Sequence, residues 1–251
     1  MKKKFVIINI IFLFSLTAFS QSDTTAFRKW ETHTSVGYTI GGTTPIPLPS
    51  EIRKINSYRP GANLLLAVDF TRWFNSEWGI TTGIGIGTQG MSISADVKYW
   101  NTDLVVGDGE STGRFTGTFS GKNRTKVKNG FLRIPIQASW RPLKRWTFHG
   151  GTYISLLIDP KFEGTASDGY IRNGGPTGDR IQVEQATFDF SDELRLLDSG
   201  LLVGADWQYN KRFFITGQLA WGFVPVFPNH FSGIPYKMYN IYATVGISYK
   251  L

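Results

Sequence analysis

From Glu31 onward the chain alternates apolar with small or polar residues in eight stretches. Each is roughly 10 to 15 residues long, the pattern of β-strands that separate two environments. They run over Glu31–Gly42, Gly61–Phe74, Glu77–Ser92, Lys126–Trp140, Trp146–Ile158, Leu194–Tyr209, Arg212–Gly222 and Tyr239–Leu251. The clearest sets Trp78, Ile80, Thr82, Ile84 and Ile86 on one face, with Gly79, Thr81, Gly83, Gly85, Gly87 and Gln89 between them. The last sets Ile241, Ala243, Val245, Ile247, Tyr249 and Leu251 against Tyr242, Thr244, Gly246, Ser248 and Lys250.

The connections alternate strictly between long and short. Asn75-Ser76, Arg141–Arg145 and Asn210-Lys211 are tight; Thr43–Pro60, Ile93–Thr125, Asp159–Glu193 and Phe223–Tyr236 are long. With up-and-down connectivity, all long links leave at one end and all short turns at the other. Two links exceed 30 residues, unusual in a compact soluble domain. They are rich in Gly, Ser, Thr and Asp, with room for short strand extensions.

Alternation alone does not say which face is wet. In a soluble barrel or sandwich the apolar face points inward; in an outer-membrane barrel it points to lipid. Here the second face is Gly, Ser, Thr and Ala with isolated Asp69, Arg133, Gln137, Asp206 and Gln208. A solvated face would carry far more Lys and Glu. Aromatics collect beside the short turns: Trp73, Phe74, Trp78, Trp140, Trp146, Trp207, Tyr209, Phe213 and Phe214. Such a girdle belongs at a membrane interface. Strand length and an even strand number agree, since closure is the β solution that lipid tolerates.

Composition narrows the chemistry. Cysteine is absent and histidine numbers three (His33, His149, His230), which excludes disulfides and thiolate catalysis and disfavours a histidine metal cluster. The opening MKKKFVIINIIFLFSLTAFSQ has three lysines, an apolar run from Phe5 to Phe19 and a small residue at Ser20. This reads as a secretory signal peptide, the run being shorter than the roughly 20 residues of a membrane helix. Net charge is +8, and removing the three leader lysines leaves +5, not a nucleic-acid footprint.

Two phrases carry a resemblance. GFLRIPIQASW (Gly130 to Trp140) and DSGLLVGADWQY (Asp198 to Tyr209), behind a leader ending in FSQ, resemble the PorT-like family of Bacteroidetes outer-membrane β-barrels. The first matches at Phe131, Leu132, Arg133, Ile134, Pro135 and Ile136, with Arg133 where the family often has a carboxylate; the second matches at Gly200, Gly204, Trp207 and Tyr209. The resemblance implies compartment and fold rather than an activity.

The reading is therefore an all-β protein: an eight-stranded antiparallel up-and-down transmembrane β-barrel with four long extracellular loops and three short periplasmic turns. Residues 1–20 are the signal peptide, 21–30 a short periplasmic segment and 31–251 the barrel. Both termini lie in the periplasm of the outer membrane, and the final strand closes on the first near Val36 and Tyr38. Its apolar end resembles the signal by which barrel assembly machinery recognises such strands.

Candidate chemistry is sparse. Asp69, Arg133, Asp206, His149, Tyr153 and Lys250 point into the lumen, and an eight-stranded barrel leaves room for side chains or one small ligand. A charge-paired plug is the expectation. A triad of Asp69, His149 and Ser139 or Ser155 can be written down, but no G-x-S-x-G accompanies it. Acidic Asp103, Asp108, Glu110, Asp159, Glu163, Asp168 and Asp179 lack the spacing of a calcium loop. Basic Arg114, Lys122, Arg124, Lys126 and Lys128 suit anionic headgroups or glycans. The segment Gly222–Tyr236 reads as a lid or an apolar contact. No catalytic, cofactor or metal residue is expected, nor a nucleic-acid partner. The expected role is structural or loop-mediated binding by a monomeric, non-enzymatic barrel, with membrane lipid, lipopolysaccharide and a protein at the loops as partners. The alternative is a receptor, secretion-associated factor or transport component acting through the barrel mouth.

Overall fold

The computed structural model describes residues 29–106, 113–173 and 177–251. The expected signal peptide, and all but the last two residues of segment 21–30, lie outside the described residues. Eleven strands follow one another: β1 (Trp30–Pro45), β2 (Ile52–Pro60), β3 (Leu64–Trp73), β4 (Trp78–Val106), β5 (Gly113–Leu143), β6 (Trp146–Asp159), β7 (Phe162–Asn173), β8 (Arg180–Asp189), β9 (Leu197–Gln208), β10 (Phe213–Gly222) and β11 (Met238–Lys250).

Antiparallel ladders run β4-β3-β1-β11-β10-β9-β6-β5 and return from β5 to β4, so these eight strands close a circuit. They are the eight stretches of alternation, and β11 meets β1 with Val36 opposite Ile247 and Tyr38 opposite Val245. Closure removes the free edge on which sheets otherwise associate. Two short turns use the same device. Asn75 Oδ1 accepts from the Glu77 and Trp78 N–H groups, at 2.9 and 2.7 Å. Asn210 Oδ1 accepts from Arg212 and Phe213, at 2.9 and 2.8 Å. The side-chain oxygen thus completes the turn that the strands cannot.

The structure departs from the expectation at the other end. β4 and β5 continue well past the ring and pair with each other up to Val106 and Gly113. β7 adds to the extension of β5, β8 adds to β7, and β8 returns to β4 at Val105 and Val106. β2 lies on the opposite edge of β4. The connections expected as loops thus build a β-lobe.

Inside and outside exchange chemistry between ring and lobe. On β5 the even residues point outward throughout: Lys122, Arg124, Lys126 and Lys128 in the lobe, then Ile134, Ile136, Ala138 and Trp140 in the ring. The odd residues point inward: Phe119 and Val127 in the lobe, Arg133, Gln137 and Ser139 in the ring. The ring is apolar outside and polar inside. The lobe is polar outside and filled by Trp100, Phe119, Phe162, Ile171, Val183 and Phe188. The segment expected as a lid contributes Val226, Phe227 and Ile234 to that core, so it is an inner wall of the lobe.

Two members of the expected aromatic girdle turn inward instead. Trp73 is 4 % and Phe214 5 % exposed. Each has the parity of its strand's small polar positions, Thr71 and Thr216, so alternation overrides its aromatic character. Phe74, Trp78, Trp140, Trp146, Tyr209 and Phe213 stay on the outer face.

Candidate functional site

The lumen is packed in two polar layers. Near the short turns Glu31 is buried, its carboxylate accepting from Arg141 Nη2 at 2.9 Å and Lys250 Nζ at 2.7 Å. These groups come from β1, β5 and β11, so one carboxylate ties the first, the last and a central strand. The Arg141 guanidinium lies over the Trp73 ring at 4.0 Å, and His33 sits against Phe214 with ring centroids 4.8 Å apart. The two inward aromatics are therefore the apolar part of the plug, Trp73 under a guanidinium and Phe214 against an imidazole ring.

Beside this cluster the hydroxyl of Ser139 lies 2.9 Å from His149 Nδ1, and His149 Nε2 lies 3.1 Å from Asp206 Oδ2. The order serine, histidine, aspartate is that of a hydrolase triad, with Asp206 in the place given to Asp69 from the sequence. Access decides against the chemistry. Ser139 is fully buried and shares its hydroxyl with Thr81. The neighbouring cavity, lined by Asp69, His149 and Asp206, measures about 60 Å³ and does not touch Ser139. That space suits about two waters, not a substrate and an oxyanion hole.

The second layer lies toward the lobe. Arg133 is 6 % exposed and sandwiched between Phe131 and Tyr153, 4.6 and 4.8 Å from their ring centroids. The Tyr153 hydroxyl donates to Asp198 Oδ2 at 3.1 Å, and Asn240 Nδ2 donates to the same oxygen at 3.1 Å. Thr43 in turn donates to Asn240 Oδ1 at 2.8 Å. The cavity beside Asp206 does not reach Arg133. Rings and charges fill the interior, as a narrow closed barrel requires, but the pairing is partial. Glu31 pairs with Arg141 and Lys250 and Asp206 with His149, whereas among the described residues Arg133 and Asp69 have no ion-pair partner.

All six residues expected in the lumen are there. Glu31, Asp198 and Asn240 are the partners that the sequence reading left out. Glu31 shares the parity of His33 and Ser35, and Asp198 that of Gly200 and Asp206, so strand parity was the signal that could have found them.

Among the loop charges, Lys122 pairs with Asp168 at 3.0 Å and Lys126 with Glu163 at 3.4 Å, both exposed. The bond from Asp168 raises the pKa of the Lys122 ammonium. Asp108 and Glu110 lie outside the described residues, and for Asp103 and Arg114 only the backbone is described. Among the described residues no cluster of His, Asp and Glu is placed to hold a metal ion.

A closed antiparallel ring that is apolar outside and charge-plugged inside is the architecture of a lipid-facing barrel. The chain belongs to the family described as outer membrane protein beta-barrel domain, which it matches over residues 19–228. It is an outer-membrane β-barrel protein. No curated protein matches it. Among solved structures it is similar to Ail, the attachment invasion locus protein of Yersinia pestis, at 11 % identity and TM-score 0.37, covering 89 % of this chain and 100 % of Ail. It is also similar to OprG from Pseudomonas aeruginosa, at 12 % identity and TM-score 0.39, covering 91 % and 99 %. These likenesses are distant, and nothing about the role of this chain follows from them.

Proposed function

We propose that the chain crosses the outer membrane as an eight-stranded up-and-down barrel with both termini in the periplasm. In this reading the β-lobe stands outside the cell, and the protein anchors and presents it. Its work is binding at that surface, not conduction or catalysis. The observation that carries this is the exchange along β5, where an outward row of four cations gives way past Gly130 to Ile134, Ile136, Ala138 and Trp140. A soluble barrel gains nothing from such a change, whereas a strand leaving lipid for water requires it. The plugged lumen argues against transport through the ring. The phrases Gly130–Trp140 and Asp198–Tyr209 favour a PorT-like place within the family, with Bacteroidetes as the source. Lipopolysaccharide phosphates suit the cationic row, and a protein partner suits the lobe.

Gentle solubilisation of outer membranes, followed by purification and identification of co-purifying lipid and protein, tests this. Heat-modifiable migration with lipopolysaccharide or a partner retained is the expected result. A product found only in the soluble periplasm contradicts it.

A further inference from the structure

The barrel wall has a seam. β3 begins at Leu64, opposite Tyr38, so the end of β1 beyond Thr39 has no ladder on that side. β2 continues the line of β3 past that point but pairs with β4 alone. Two tyrosines bridge the seam: the Tyr38 hydroxyl donates to Gly61 O at 2.9 Å and the Tyr58 hydroxyl to Gly41 O at 2.8 Å.

β2 turns its apolar side chains onto one face by an unusual route. Ile52, Ile55 and Tyr58 are three residues apart, a spacing that a regular strand would scatter over both faces. Register shifts between Ile52 and Lys54 and between Ile55 and Ser57 each insert one residue. The three therefore stand opposite Val97, Ala95 and Ile93, and share their face.

Together with Met91 and Met238 these side chains line a cavity of about 340 Å³. That is about the lower end of the range for small-ligand sites, ~300 to 1,000 Å³. The cavity is open: Leu48, Ile55 and Tyr58 line it and are 55, 47 and 43 % exposed. Ile241 belongs both to its lining and to the outward row of β11, and on β1 the exposed Ile40 stands just before Gly41 in the lining. The opening is thus continuous with the lipid-facing surface. The basic residues of β2 stay out of it. Lys54 and Arg59 stand opposite Asp96 and Ser92, on the other face of β4 from Val97, Ala95 and Ile93. The lining carries no charged side chain.

We infer that this cavity binds a single long acyl chain, taken through the seam from the membrane. The inference rests on the outer-membrane reading above. It makes the seam a binding site in its own right, separate from the plugged lumen. Apolar depth holds the chain, and the head stays outside the lining.

Photocrosslinking of the full mature protein in detergent micelles tests it. The probes are a long-chain fatty acid with a diazirine near its tail, its uncharged methyl ester, and phosphatidylglycerol bearing the same labelled chain. Label is expected at Tyr58, Met91 and Ile93. Ile55→Trp closes the opening at an exposed position and Ala95→Phe fills the interior. Each is expected to lower that label about tenfold, since a filled pocket rejects even a methylene or two. The ester is expected to label about as well as the acid, because no charged side chain lines the cavity. Comparing the free acid with the phospholipid shows which source of the chain the site prefers. Label spread evenly over Leu66, Ile84 and Ile134, or cavity label that survives both variants, overturns the site. Cavity label from the acid but none from the ester overturns binding through the chain. Heat-modifiable migration is checked for every variant: its absence in the parent protein removes the barrel reading, whereas its presence with no cavity label removes this inference alone.

Discussion

Replacing Glu31 by alanine tests what holds the lumen closed. The carboxylate is 7 % exposed and contacts Arg141 at 2.9 Å and Lys250 at 2.7 Å. Without it two cations from distant strands face each other beside Trp73. Removing one partner of a fully buried ion pair costs about 3–5 kcal/mol. Arg141 and Lys250 keep 28 and 24 % exposure, so water recovers part of their solvation. A loss of about 2–3 kcal/mol is expected, roughly a thirty- to hundredfold change in the folding equilibrium. Urea unfolding in lipid vesicles, followed by tryptophan emission and by heat-modifiable migration, measures it. Lys250→Met is expected to cost only about 1 kcal/mol, because Glu31 keeps Arg141. Combining the two substitutions should reveal a coupling of about 1 kcal/mol or more. Glu31→Ala within about 0.5 kcal/mol of the parent, or strictly additive effects, would refute the clamp.

Phe119 is fully buried in the core of the lobe, so Phe119→Ala is expected to cost about 3–5 kcal/mol there. Limited proteolysis should then nick the lobe while the ring still migrates in its heat-modifiable form. Ser139→Ala removes the partner of His149 Nδ1 and one of the two hydroxyls bonded to Thr81, at a cost of about 1–2 kcal/mol in urea unfolding. Hydrolysis of a model ester should be unchanged by it, and turnover that depends on Ser139 would contradict the plug. Gly41 has φ +151°, and a Cβ there would run into the Ile241 carbonyl and Tyr242 on β11. Gly41→Ala should therefore cost about 1–3 kcal/mol and lower the temperature at which the folded gel band is lost.

Much of the ring was legible because its alternation is regular and two-sided. Glu77–Ser92 and Tyr239–Leu251 show which residues point outward, and the structure keeps that assignment at Ile84, Ile86, Val245 and Ile247. The lobe was not, because β2, β4 and β8 change parity midway. On β4 the inward residues are Met91, Ala95 and Val97, and then Trp100, past a bulge at which Tyr99 has φ 58°. On β8 they are Val183, then Ala186 and Phe188. β2 is harder still: IRKINSYRP spaces its apolar residues by three, and only its bulges bring them onto one face. Period-two reading breaks at every such insertion.

The site divides the same way. Parity alone placed Asp69, Arg133, His149, Tyr153, Asp206 and Lys250 inside. It could not say which pairs meet, since that depends on how far each strand is shifted against its neighbour. Thus Asp206 rather than Asp69 reaches His149. Trp73 and Phe214 were misplaced because residue type was given more weight than parity.

The central claim is that β5 leaves lipid near Gly130, and the absence of native cysteine allows it to be tested residue by residue. Single substitutions Lys122→Cys, Lys126→Cys, Ile134→Cys, Ile136→Cys and Ala138→Cys carry a nitroxide spin label in vesicle-reconstituted protein. Collision with oxygen, which concentrates in lipid, is compared with collision with a water-soluble nickel chelate. Labels at 134, 136 and 138 should be oxygen-accessible and those at 122 and 126 chelate-accessible. Chelate access at all five positions would contradict the account.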